Sequence, residues 1–141
     1  MLIKLLPSQI AKMWDVVRYG LVRTWPIGTE ESSERVQDVL RNLLTETVQC
    51  WIAKEDEEFV GFLLTKINIC DVTGSKSLNV MSVFGFRVVP DEQWIAGMEQ
   101  LVDFARVNNC KFITATSDNA KILSLLNRFN FKSTQFLSLE V

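Results

Sequence analysis

Apolar residues recur along this chain with two periods, and the switches between them divide it into elements. Residues 2–6 form an apolar run stopped by Pro7, as a short strand would be, and Ser8 then offers an N-cap for a helix reaching about Thr24. Ile10, Met13, Trp14, Val17 and Leu21 share one face of that helix. Trp25-Pro26-Ile27-Gly28 ends it. A second helix opens near Thr29, with Glu30 and Glu31 in its first turn, where carboxylates favour the positive end of the dipole, and it buries Val36, Val39, Leu40 and Leu43. Residues 48–53 and 59–69 are β-rich runs around the acidic stretch 54–58, the pattern of a hairpin with its tip in water. After a turn over 71–77, residues 78–89 give a long strand ended by Pro90. Gly85 stands in its middle, where a glycine marks a bulge or a close approach of backbones. A third helix starts at Asp91 or Glu92, carries Ile95, Met98, Leu101, Val102 and Ala105 at helical spacing, and stops at Asn108-Asn109. A strand over 111–116, a helix over 119–129 and a closing strand over 132–141 complete the chain. The order β-α-α-β-β-β-α-β-α-β predicts an α/β (α+β) fold with a mixed central sheet and helices on both faces, in one domain spanning residues 1–141.

Composition narrows the chemistry. A chain of 141 residues, 48% hydrophobic, is large enough to bury a continuous core. The net charge of −2 comes without any Lys/Arg cluster, so no row of phosphates is matched and nucleic acid is not an expected partner. The chain has no histidine, which excludes imidazole proton transfer, Ser-His or Cys-His nucleophiles and His-ligated metals within it. Cys50, Cys70 and Cys110 are odd in number, far apart and set in apolar runs, so they are expected to be buried thiols rather than a disulfide framework or a zinc site. The amino-terminal apolar run is too short for a signal peptide and no window reaches the length of a membrane span. The expectation is a soluble protein made in the cytoplasm.

Two segments carry a family resemblance. Val88-Val89-Pro90 leads into Gln93-Trp94-Ile95-Ala96-Gly97-Met98, and Asn119 opens a helix that closes on Leu126-Asn127-Arg128-Phe129-Asn130-Phe131. With the element order, these resemble the GCN5-related N-acetyltransferase superfamily over nearly the whole chain, most of all from Trp51 to Phe131. In that family a Val-x-Pro-like strand end precedes the loop Arg/Gln-x-x-Gly-x-Gly/Ala, whose backbone N–H groups and helix N-terminus hold the pyrophosphate of acetyl-CoA. The resemblance therefore implies a cofactor site at Val88, Val89, Gln93, Trp94, Ile95, Ala96, Gly97, Met98 and Asn119. Gln93 fits the first place of the loop, Ala96 stands for the first glycine, and Met98 stands where Gly or Ala is usual. Shifting the register by one places Gly97 well but sets Glu99 against phosphate. The family's tyrosine, a general acid for the CoA thiolate, is replaced by Leu126, and its Gly before the last Phe by Asn130, a residue that accepts positive φ. No catalytic residue is assigned. Trp94, Ile95 and Met98 also read as the core face of an amphipathic helix, and Asn119 as a helix cap.

Two functions follow from the resemblance. The first is an acetyltransferase-like domain with a degenerate acetyl-CoA loop, non-catalytic, without cofactor, and acting through a protein partner or a homo-oligomer. Small domains of this kind with weakened motifs resemble proteins carried by short-tailed bacteriophages, which implies a virion component or a host-interacting protein in the host cytoplasm. The alternative is an active N-acetyltransferase that moves acetyl from acetyl-CoA to an amine, held by backbone groups around Val88, Val89 and residues 93–98, with Glu57, Glu58 and Asp71 the carboxylates near the relevant strands. A binder of some other small ligand is a third reading. The short segment after Phe131 implies an acceptor pocket left open or completed by a partner.

Overall fold

The computed structural model describes residues 1–25, 32–117 and 119–141. Among these residues five strands, β1 (Leu2–Lys4), β2 (Gln49–Glu55), β3 (Glu58–Ile69), β4 (Lys76–Gly85) and β5 (Phe112–Ala115), lie side by side in chain order. The first four pair antiparallel and β5 joins β4 in parallel. The acidic hairpin is tighter than its composition suggests: Lys54 and Glu55 belong to β2, and only Asp56 and Glu57 turn, Asp56 with φ 55°.

Among the described residues four helices, α1 (Pro7–Arg23), α2 (Ser33–Leu44), α3 (Asp91–Val107) and α4 (Ala120–Arg128), complete the order β-α-α-β-β-β-α-β-α. Ser8 is not the cap of α1. Pro7 takes the first helical position, where its missing N–H costs nothing, and the Gln9 side chain accepts from the Leu6 N–H at 2.8 Å. Ser32 caps α2 by accepting from the Arg35 N–H at 3.4 Å, so this helix begins after the predicted start. The helix breaker Pro26-Ile27-Gly28 and the predicted first turn at Thr29, Glu30 and Glu31 lie outside the described residues.

Strand alternation divides the core between the two faces of the sheet. Cys50, Ile52, Phe62 and Leu64 meet Ile10, Val17, Leu21 and Leu43 of α1 and α2 on one face. Trp51, Leu63 and Leu78 meet Leu101 and Ala105 of α3 on the other. Gly20 on α1 is a contact requirement, because a Cβ there would lie 2.3 Å from Phe62 Cε1. A buried polar thread joins β2 and β3: Trp51 Nε1 donates to Thr65 Oγ1 at 2.9 Å, and Thr65 donates to Gln49 Oε1 at 2.9 Å.

Three expectations are corrected. Residues 132–141 form no strand; they are exposed, and Phe136, Leu137 and Leu139 stand in solvent. The fourth strand stops at Gly85 rather than running to Val89, and its bulge falls at Met81, because Leu64 faces Ser82 while the next residue, Thr65, faces Val80. Gly85 instead faces Gly61, where a Cβ would approach the Phe84 carbonyl oxygen to 2.5 Å, so the backbones of β3 and β4 are in close approach there. The thiols also differ from expectation: Cys50 is buried and Cys110 half-buried, but Cys70 is exposed where β3 turns towards β4.

Candidate ligand cleft

Parallel pairing of β4 with β5 runs only from Ser77 and Phe112 to Val80 and Ala115. The Met81 bulge then turns β4 away, and its last residues pair with β3 alone while β5 has ended. Two strands that start together and splay apart leave a cleft at their carboxyl ends.

The cleft has two unlike halves. Beside Ala115 a recess of about 270 Å³ is lined by polar groups, among them Arg23, Thr24, Ser82, Thr116, Ser117 and Asn119. Several of its side chains are already engaged: Arg23 donates to the Tyr19 carbonyl at 2.8 Å and lies 3.4 Å from the Tyr19 ring centre, and Thr24 donates to the Leu21 carbonyl at 2.8 Å. Asn119 caps α4, accepting from the N–H groups of Lys121 at 2.9 Å and Ile122 at 3.4 Å. The second half is an apolar cavity of about 120 Å³ between the sheet, α3 and α4.

The residues expected to hold a cofactor are divided by α3. Gln93, Trp94, Gly97 and Met98 line the apolar cavity, joined by Val89 from the segment before the helix. Ile95 and Ala96 turn to solvent, and Val88 is 93% exposed. Asn119 belongs to the polar recess. Leu126, in the place of the family tyrosine, faces the apolar cavity with Phe129 and Phe131. Asn130 has φ 66°, the conformation for which glycine is usual there.

The start of α3 decides what this arrangement can hold. The helix begins at Asp91, directly after Pro90, so residues 93–98 are wound into it rather than looped. The N–H groups of Gln93 and Trp94 point back to the Pro90 carbonyl at 3.0 and 3.3 Å. The first turn carries Asp91 and Glu92, which set negative charge where the helix dipole would attract an anion. Arg128, paired with Asp91 at 2.9 Å, offsets that one carboxylate and is spent on it, which leaves Glu92. A diphosphate fits this helix end poorly on both counts, donors and charge. The two acidic residues after Pro90 mark a helix start and are also the sequence signal for this; the contributions of Ile122, Leu125 and Phe129 to the cavity have no such signal.

Candidate bases are scattered. Glu58 pairs with Arg87 at 3.0 Å beside the β2–β3 hairpin, and Glu57 is exposed at its tip. Asp71 lies in the turn at the opposite end of β3. Burial pushes the Cys50 thiol up to about 12, away from nucleophilic use.

The splayed sheet with two helices on one face and two elements of helix opposite is the fold of the GCN5-related N-acetyltransferases, and solved structures agree. A ribosomal-protein-alanine N-acetyltransferase from Brucella melitensis biovar Abortus 2308 matches with TM-score 0.70 at 12% identity, covering 100% of this chain and 98% of its own. An aminoglycoside acetyltransferase from an uncultured soil metagenomic sample matches with TM-score 0.71 at 13% identity, covering 100% and 96%. A predicted acetyltransferase from Clostridium acetobutylicum, solved with acetyl-CoA, matches with TM-score 0.70 at 16% identity, covering 99% and 95%. No family model matches the chain, and no curated protein sequence is significantly similar to it. Among the described residues no helix is long and apolar enough to cross a membrane, and no cluster of acidic or thiol side chains could hold a metal ion.

Proposed function

We propose that this domain keeps the acetyltransferase scaffold without acetyl transfer and acts through contacts with another protein. The observation that carries the reading is the start of α3: Asp91 and Glu92 occupy its first turn, and residues 93–98 have helical rather than loop backbone. Leu126 adds to it, since a leucine has no proton to give a thiolate. Exposed apolar groups supply contact surface in its place, including Tyr19 stacked with Phe86 at 6.5 Å between ring centres and the apolar residues of the carboxyl-terminal segment. A virion or host-interacting protein of a bacteriophage is the setting in which we would look for such a domain; mass spectrometry of purified particles would find the chain in them or remove that setting.

Thermal unfolding with added acetyl-CoA or CoA tests the main reading. A specific ligand at one hundred times its Kd stabilises by about 2.7 kcal/mol through mass action. The melting temperature should stay fixed up to millimolar cofactor. A saturating rise, accompanied by acetylation of any amine, would reinstate the active enzyme, a reading favoured by the cleft beyond Val80 and Ala115.

A further inference from the structure

We propose that the apolar cavity between the sheet, α3 and α4 is a binding site for a small uncharged hydrocarbon, of the size of one aromatic ring or a short alkyl group. Three observations set this class. The first is size: the cavity measures about 120 Å³, close to the engineered apolar cavity of about 150 Å³ that stays dry and takes up benzene. The second is lining. Gln93 and the indole N–H of Trp94 are the side-chain groups around it able to hydrogen-bond; the rest of its wall is aliphatic, aromatic or glycine, with Val83, Met98, Leu126 and Phe129 prominent. Water held there would lack the two to four polar partners it needs, whereas a hydrocarbon loses nothing on entering.

The third observation is charge. No Lys or Arg lines the cavity, and the neighbouring turn of α3 presents Asp91 and Glu92. The amino-terminal ammonium of lining residue Met1 is spent on the Lys54 carbonyl at 2.7 Å, so no side-chain cation is offered to a carboxylate or phosphate head group. Entry is also provided for. The α4 wall contains no fully buried residue, although Ile122, Leu125 and Leu126 turn towards the cavity, so this helix can shift without opening the main core. The size and apolarity of the site stand by themselves; only the exclusion of anions rests on the function proposed above.

Ligand-observed fluorine NMR with fluorobenzene tests the site on the whole chain. Fluorobenzene should bind saturably at one site, with a matching change in tryptophan fluorescence that Trp94→Phe removes. Leu126→Trp, which fills the cavity from the half-exposed helix, should weaken binding at least tenfold, as should Val83→Phe from the sheet side. Leu123→Ala, on the exposed side of α4, should leave it unchanged. Hexanoate and acetyl-CoA should not displace the probe. Absence of saturation up to the solubility limit, or binding indifferent to both filling variants, overturns the site and leaves the proposed function standing. Displacement by acetyl-CoA overturns the uncharged class of ligand and the proposed function together.

Discussion

Replacing Gly97 by Ala should stabilise this domain, although in the register shifted by one Gly97 takes a glycine place of the phosphate-binding loop. Gly97 lies in the interior of α3, and its φ is not in the left-handed region. A Cβ built on it meets no atom closer than Leu2 Cδ2 at 3.8 Å, an ordinary van der Waals contact. Glycine in a helix interior costs about 0.5–1 kcal/mol relative to alanine, chiefly through the freedom it loses on folding. With no clash to offset that gain, the expected change is about +0.5–1 kcal/mol, or a rise of about 3 °C in Tm for a chain of this size. Urea unfolding followed by circular dichroism measures it, with the m-value unchanged. Gly61→Ala supplies the opposite sign. Its Cβ would stand 2.5 Å from the Phe84 carbonyl oxygen, a backbone atom that cannot swing aside, so overpacking should cost about 1–3 kcal/mol. Destabilisation by Gly97→Ala would refute the argument, because it would mean that the glycine serves a conformation other than the helix.

Two further perturbations follow from the core. Thr65→Val keeps the volume but leaves the Trp51 indole N–H and the Gln49 carbonyl without their shared partner, at a cost of about 1–3 kcal/mol; Thr65→Ser, which keeps the hydroxyl, should lose clearly less, and equal losses would show that packing rather than hydrogen bonding matters. Burial raises the Cys50 thiol from 9.0 to about 12, so above pH 9 the unfolded chain ionises while the folded one does not. Stability should be insensitive to this group below pH 9 and fall between pH 9 and 12, by at most on the order of 1 kcal/mol per pH unit. Urea midpoints at pH 8 and 10.5 should converge in Cys50→Ala relative to the parent; an identical slope in both would remove burial as the cause. At neutral pH a thiol reagent should modify exposed Cys70, held below the usual thiol range by the Thr73 side chain, long before Cys50.

Much of the fold was legible because its elements bury one face each. Val36 and Leu43, or Ile10, Val17 and Leu21, are spaced by the helix they belong to and lie in the core as that spacing requires. What the sequence did not reveal depended on neighbours distant along the chain. The bulge fell at Met81 rather than Gly85 because pairing with β3 sets the register, and of the facing pair Gly61 and Gly85 it is Gly61 that has no room for a Cβ. Residues 137–141 alternate in polarity yet form no strand, since alternation selects a face but does not provide a hydrogen-bonding edge. At the cleft, the loop motif could be aligned letter by letter, but whether Gln93–Met98 loops or winds is decided at Pro90, where the helix starts at once. The division of that segment into cavity-lining Gln93, Trp94, Gly97 and Met98 and solvent-facing Ile95 and Ala96 then follows from the helical turn.

The account depends most on the backbone N–H groups of residues 95–98 being spent inside α3 and closed to a diphosphate. Amide hydrogen exchange reads those groups directly. They should be protected in the free protein to the level of the remainder of α3, with no change on adding acetyl-CoA. Rapid exchange in the free protein that becomes slow when acetyl-CoA is added would contradict the account.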